Sequence, residues 1–163
     1  MSYALGRYFE DFTKGESLRT LGRTVTEADL VNFSGFTGDF NPLHTDEEFA
    51  AASPFKGRVA HGMCGFSIAT GLLVRLNILE GTILAFLEIE NWRFKVPIRI
   101  GDTIHVIATV EEKTEGGKPD RGLVKVHLDV INQNGVSTQG GSLLLLMMRR
   151  PTHTNSHNAE SHG

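Results

Sequence analysis

The run Gly38-Asp39-Phe40-Asn41-Pro42-Leu43-His44 sets a carboxylate and an imidazole five positions apart. Such a pair can do general acid–base chemistry if it is held rigidly. Gly38 and Pro42 disfavour helix, and proline biases Asn41 toward an extended conformation, so the segment is expected to bend rather than coil. The Asn41 side chain can bond nearby backbone and stiffen that bend. Further on, His61-Gly62-Met63 opens a long run without acidic residues. A helix starting there would present unpaired backbone N–H groups and a partial positive charge. An acid–base pair facing an anion-holding helix start is suited to adding or removing water.

The elements around these residues must place them. Leu18 to Val25 reads as a short strand. Thr26 with Asp29 makes a capping-box-like start, and Ala28, Val31, Asn32 and Phe33 continue a short helix expected to end near Gly35. Asp46 can cap a second short helix through Glu47, Phe49, Ala50 and Ala51. From His61 to about Leu76 the pattern predicts the main helix. Its first charged side chain after His61 is Arg75, so most of its faces should be covered by protein. Gly62, Gly65, Ala69 and Gly71 would let another backbone approach it closely.

After that helix the period changes to two. Ile83, Ala85, Leu87 and Ile89 alternate, with Trp92 and Phe94 on the other parity. The alternation resumes in Ile104, Val106, Ala108 and Val110, and again in Val124, Val126, Leu128 and Val130. Asn134-Gly135 marks a hairpin. Ser142 to Met148 is apolar at nearly every position, a strand covered on both faces. One buried helix followed by antiparallel strands predicts an α+β layer arrangement, with the sheet curled around the helix.

Composition narrows the classes. The 163 residues suit one domain, over about 1–150, followed by a tail, 151–163, that lacks a hydrophobic pattern and should be disordered. The tail carries His153, His157 and His162, for which a solvated tail is a better reading than a metal site. A net charge of −3 leaves no footprint for nucleic acid. The charge-poor stretch Val59 to Val74 is too short and glycine-rich for a membrane span. The polar and aromatic stretch Met1 to Lys14 does not read as a secretory signal. Cys64, the one cysteine, excludes an intramolecular disulfide and fits a reducing compartment, so a cytoplasmic protein is expected.

Other chemistry-bearing residues have competing readings. Gly62 could let a substrate carbonyl reach its N–H, or could serve close packing alone. Cys64 lies near a helix start but among Met63, Gly65 and Phe66, and reads better as a small buried hydrophobe than as a nucleophile. Ser67 and Thr70 could bond back to their own helix or face a ligand. Lys56, Arg58, Arg93, Lys95 and Arg99 could hold the phosphates of a nucleotide-like ligand, or be solvated charges. No P-loop, GxGxxG fingerprint or zinc spacing is present, and no metal or separate cofactor is expected.

The segment Thr37 to His44, with Phe55 through His61-Gly62-Met63, resembles the signature of the MaoC-like dehydratases, which include the (R)-specific enoyl-CoA hydratases. Phe94-Lys95-Val96-Pro97 and Ile100-Gly101-Asp102-Thr103 add to the likeness, which spans roughly Tyr8 to Met148. The resemblance implies a hot-dog fold, a long helix wrapped by a curved antiparallel sheet, in a homodimer or higher homo-oligomer. It implies an acyl-CoA substrate, a trans-2-enoyl-CoA hydrated to a (3R)-hydroxyacyl-CoA or the reverse, with coenzyme A as part of the substrate. It maps the catalytic pair onto Asp39 and His44 and the backbone donor to the thioester carbonyl onto Gly62, with Asn41, His61 and Thr70 as further substrate-binding residues. Asp39 would take a proton from the attacking water, and His44 would orient that water and could deliver a proton to Cα. Some members carry a serine on the central helix where this chain has Thr70, which keeps the hydroxyl but adds a methyl. A hot-dog acyl-CoA thioesterase and a non-catalytic acyl-thioester-binding module are the alternatives.

Overall fold

The computed structural model describes residues 6–115 and 117–151. A 3-10 turn, Phe9–Asp11, leads into two short strands, β1 (Ser17–Arg19) and β2 (Arg23–Thr24). Helices α1 (Glu27–Thr37), α2 (Pro42–Thr45), α3 (Glu47–Ala52) and α4 (Gly62–Val74) follow. Four long strands complete the chain: β3 (Ile83–Phe94), β4 (Thr103–Glu115), β5 (Arg121–Ile131) and β6 (Ser137–Met148). The sheet runs in the order β1-β4-β5-β6-β3, with β2 also on β4, and every pairing is antiparallel.

The period-two residues of β4 and β5 do what their pattern predicts, whereas Leu87 and Ile89 of the β3 set stay exposed on that edge strand. Ile104, Val106, Ala108 and Val110 of β4 are buried, as are Val124, Val126, Leu128 and Val130 of β5. They share one core with Ala69, Leu72 and Leu73 of α4 and with Leu143, Leu145 and Met147 of β6. Each leucine so buried contributes roughly 1.5–3 kcal/mol over leaving it in water. A single helix gripped by a curled antiparallel sheet is the hot-dog, α+β arrangement. The β5–β6 hairpin turns at Asn134-Gly135, where Gly135 takes φ 75°. The tail from residue 152 onward, with its three histidines, lies outside the described residues.

Several local expectations are corrected. The strand expected over Leu18 to Val25 is broken between β1 and β2, where the Thr20 hydroxyl both accepts from Val106 N–H at 2.9 Å and donates to the Leu21 carbonyl at 2.9 Å. Helix α1 runs past Gly35 and ends at Gly38, whose φ of 76° is the left-handed cap conformation. The bend at Asp39–His44 contains helix after all: α2 starts at Pro42. Proline is tolerated at that first position because its missing N–H would have had no partner. Asn41, extended as expected before proline, is the cap. The parity switch in β3 has a physical cause, a register shift between Glu90 and Arg93 where Asn91 takes φ 52°. Finally, α4 is covered on one side only. Met63, Ser67, Gly71 and Val74 are exposed, and so are Leu84, Phe86, Leu87 and Ile89 along the unpaired edge of β3.

Helix α1 is clasped at its start. The Asp29 carboxylate accepts from the Thr26 N–H at 2.8 Å and hydroxyl at 2.9 Å, and pairs with the Arg23 guanidinium. Burial pushes the Asp29 carboxyl up, but these bonds together outweigh it and hold the group below its ordinary value of 3.8. Its carboxylate therefore stabilises the fold in full above that value, and the contribution is lost as pH falls through the depressed one.

Two outcomes follow from these contacts. Asp29→Ala should cost about 1 kcal/mol at neutral pH, read as a fall in Tm, and its deficit against wild type should close as the pH drops below the ordinary aspartate range. A Cβ on Gly65 would stand 2.4 Å from Gln139 Nε2 and 2.7 Å from Ile98 Cδ1, whereas one on Gly35 meets nothing within 4 Å. Gly65→Ala should thus destabilise by about 1–3 kcal/mol, while Gly35→Ala should be neutral or gain up to about 1 kcal/mol, both by denaturant titration.

Candidate active site

Gly38 ends α1 with its N–H on the Ser34 carbonyl at 2.8 Å and turns the chain toward Asp39. The Asp39 N–H donates to Thr37 Oγ1 at 3.2 Å, and Asp39 Oδ1 accepts from the Asn41 N–H at 3.2 Å. Asn41 Oδ1 in turn accepts from the Leu43 N–H at 3.0 Å, and the Thr45 hydroxyl reaches back to the Phe40 and Asn41 carbonyls, each at 3.2 Å. Asn41 thus acts on the backbone, stiffening the loop as its type predicts, and it is not among the cavity-lining residues.

His44 lies in the helical turn α2, half-buried, with Nδ1 2.7 Å from the Val59 carbonyl. A carbonyl can only accept, so Nδ1 carries a proton, and in the neutral ring Nε2 then keeps its lone pair. His61 caps α4, is 2% exposed, and stacks on the His44 ring with centroids 3.8 Å apart. Its Nε2 lies 2.9 Å from the Asp39 carbonyl and 3.2 Å from Ser34 Oγ. The Asp39 carboxylate and ring nitrogens of His44 and His61 all lie within 4.8 Å of one another. Three such ligand atoms are close enough together to surround a cation.

Gly62 is the first residue of α4, so its N–H has no partner within the helix. A Cβ there would stand 2.8 Å from the Phe94 ring and push it aside, so close packing by itself favours glycine at this position. Asp39, His44, His61 and Gly62 line one cavity of about 720 Å³, walled by Phe33, Phe55, Met63, Phe94, Pro97 and Ile98. A carboxylate, an imidazole lone pair and a helix N-terminus therefore face a single, largely apolar space.

Thr70 is elsewhere. Its hydroxyl donates to the Ser67 carbonyl at 2.8 Å, and it lines a separate hollow of about 190 Å³ with Leu73, Val74 and Phe86. Ser67 likewise bonds back, to Met63 O at 2.8 Å. Cys64 is 3% exposed, and burial, with the Asp29 charge added, pushes its thiol up, in keeping with a packing role. Among the basic residues, Arg58 is spent on Glu27 and Glu47, Arg99 on the Phe55 carbonyl, and Lys95 on Ser137 and Asp129. The hydrogen bond from Arg58 holds the Glu27 carboxyl below its ordinary range. Lys56 and Arg93 make no ion pair among the described residues.

Two contributors were not visible from residue spacing. Gln139, 3% exposed on β6, donates from Nε2 to the Gly62 carbonyl at 3.1 Å and lines the cavity. Ser34, also buried, sits under His61. The only cue was a polar residue on a face that packing makes apolar: Ser34 one helical turn after the buried Leu30, and Gln139 ahead of Gly140-Gly141.

Known proteins share this framework. The model of the MaoC like domain matches residues 11–132. Protein MaoC of Klebsiella aerogenes is 44% identical over 108 residues, covering 66% of this chain and 32% of that protein. An (R)-specific enoyl-CoA hydratase of Rhodospirillum rubrum is 37% identical over 103 residues, covering 63% of this chain and 69% of that protein. A crystal structure described as a monoamine oxidase regulatory protein from Archaeoglobus fulgius superposes with TM-score 0.85 at 37% identity, over 91% of this chain and 98% of that one. The chain spans about a third of the Klebsiella protein's length. With the whole Asp39–His44 loop and His61-Gly62 inside the matched residues, the chain belongs to the MaoC-like domain family.

Proposed function

We propose that this chain hydrates a trans-2-enoyl-CoA to the (3R)-hydroxyacyl-CoA, or runs the reverse dehydration, at the cavity shared by Asp39, His44 and Gly62. The carrying observation is that shared cavity: a carboxylate, an imidazole with a free lone pair and an unpaired helix N–H open onto one space. The names of the Rhodospirillum hydratase and of a 3-hydroxybutyryl-CoA dehydratase from Methylorubrum extorquens, 35% identical over 105 residues, support the reaction class.

In the hydration direction one water sits between the two side chains. Its oxygen attacks Cβ while one of its protons passes to the Asp39 carboxylate. The π electrons move onto Cα and the thioester oxygen, where the Gly62 N–H and the start of α4 stabilise the developing charge. The same proton then passes from Asp39 to Cα, so one water is consumed and the enzyme is restored. His44, whose proton is committed to Val59, accepts from the water's remaining hydrogen and orients it. That tautomer favours Asp39 over His44 as the donor to Cα. The reaction calls for no metal or separate cofactor, since coenzyme A arrives as part of the substrate.

The same reading places a second copy of the chain against β3. This strand is an edge of 12 residues, and Leu84, Phe86, Leu87 and Ile89 on it are between 42% and 51% exposed. An unpaired, apolar edge of this length invites another strand. The exposed side of α4 lies open as well. No helix among the described residues is long and apolar enough to cross a membrane, and a cytoplasmic location remains part of this proposal.

Asp39→Asn and His44→Asn should each lower kcat for crotonyl-CoA hydration by roughly 10²–10⁴, followed as loss of enoyl-thioester absorbance. Wild-type turnover in both variants would remove the dyad assignment. Thiol release from saturated acyl-CoA would point instead to a thioesterase, and binding without turnover to a non-catalytic module. For the assembly, Leu87→Lys should move the chain from dimer to monomer in sedimentation at micromolar concentration. A wild-type monomer at that concentration would refute the edge pairing.

A further inference from the structure

We infer that His61 is a positioning residue that sets the Asp39–His44 pair from behind, an inference that rests on the hydratase reading. Its ring is 98% out of solvent contact, being 2% exposed, yet it touches both members of the pair. Nε2 lies 2.9 Å from the Asp39 main-chain carbonyl, across 22 residues of sequence. Because that oxygen can only accept, Nε2 carries the proton, and Ser34 Oγ at 3.2 Å shares it. The flat of the ring packs on His44 at 3.8 Å with 30° between planes, and Phe33 backs it at 5.0 Å. The next residue is Gly62, the backbone donor at the start of α4. One side chain is thus connected to the carboxylate loop, the imidazole and the helix start.

The Asp39 loop needs such a tie. At Asp39 itself the other restraints are local: its N–H to Thr37 Oγ1 at 3.2 Å and Asn41 N–H to its Oδ1 at 3.2 Å, both at an exposed position. Val59 holds the far end of the loop, through His44 Nδ1 and the Leu43 carbonyl, and the His61 bond is what ties the Asp39 end to a distant element. The orphaned Nδ1 strengthens the case. It is buried without a hydrogen-bond partner, a cost that an apolar ring of similar shape would avoid. Stability alone therefore favours phenylalanine here, and the imidazole is accounted for by what Nε2–H does for Asp39. A displacement near 1 Å at a reacting group costs about 10²-fold in rate.

The test compares side chains that differ in reach. In His61→Gln the amide nitrogen can take the place of Nε2 and reach the Asp39 carbonyl. In His61→Asn it stops at the place of Nδ1, and His61→Phe keeps the stack without the donor. Each variant is assayed for crotonyl-CoA hydration below its measured Tm. His61→Asn and His61→Phe should lose about 10²-fold in kcat with KM changed less than about threefold, and His61→Gln should stay within about tenfold of wild type. Equal kcat in Gln and Asn, or wild-type kcat in folded Phe, would overturn the inference while leaving the hydratase reading intact. If Phe does not fold, the Gln and Asn pair still decides. A wild-type protein that hydrates no enoyl-CoA would instead sink the functional reading itself.

Discussion

The first turn of α4 is pinned from two sides, and the site depends on that. Gln139 donates to the Gly62 carbonyl at 3.1 Å from the sheet side, and the His61 ring is wedged against His44 and Phe33 on the other. Gly65 makes the first contact possible, because any Cβ there would displace Gln139 or Ile98. Gly62 does the same for the Phe94 ring. Two glycines, at positions that lower helix propensity, thus let the sheet come within hydrogen-bonding distance of the helix backbone. A helix start held this way presents its N–H groups in a fixed direction, which electrostatic stabilisation of a developing oxyanion requires.

The loop opposite solves a different problem. Asp39 must open onto the cavity and still be placed to within a fraction of an ångström. The chain leaves the side chain exposed and fixes the backbone instead. A left-handed Gly38 ends α1, Asn41 caps α2, and the Asp39 carbonyl is tied to His61. His44 is constrained the other way, through its side chain, with Nδ1 committed to Val59 and the ring face to His61. The pair therefore draws its rigidity from α1, α2, α4 and the strand-like segment at Val59-Ala60, which is itself bonded to Ile98 at 2.8 Å.

Much of this is legible in the amino-acid sequence. Strict alternation in β4 and β5 named the core faces, since a period of two leaves no ambiguity about which residues face inward. Asn41-Pro42 marked the bend, and the types at Asp39 and His44 singled out a carboxylate and an imidazole that the fold brings to one cavity. The helical character of α2 was hidden because a proline that breaks a helix interior is acceptable at its first position, and spacing alone does not tell the two apart. The extent of α1 was underestimated because Gly35 reads as a stop yet meets no constraint in the helix. Gln139 and Ser34 were illegible for a deeper reason. Their roles come from contacts across 77 and 27 residues of sequence, which no local pattern encodes.

Thr70 shows where a single chain stops being a sufficient frame. The lack of charge between His61 and Arg75 argued that α4 should be covered nearly all round, yet Met63, Ser67, Gly71 and Val74 face solvent. The uncharged stripe and the open edge of β3 share the same apolar character, and Thr70 lies between them, near Phe86. Its hydroxyl is satisfied by the Ser67 carbonyl, so nothing within one chain obliges it to meet a ligand. The sequence composition of α4 is therefore consistent with a helix that is wrapped twice, once by its own sheet and once by a surface supplied from outside.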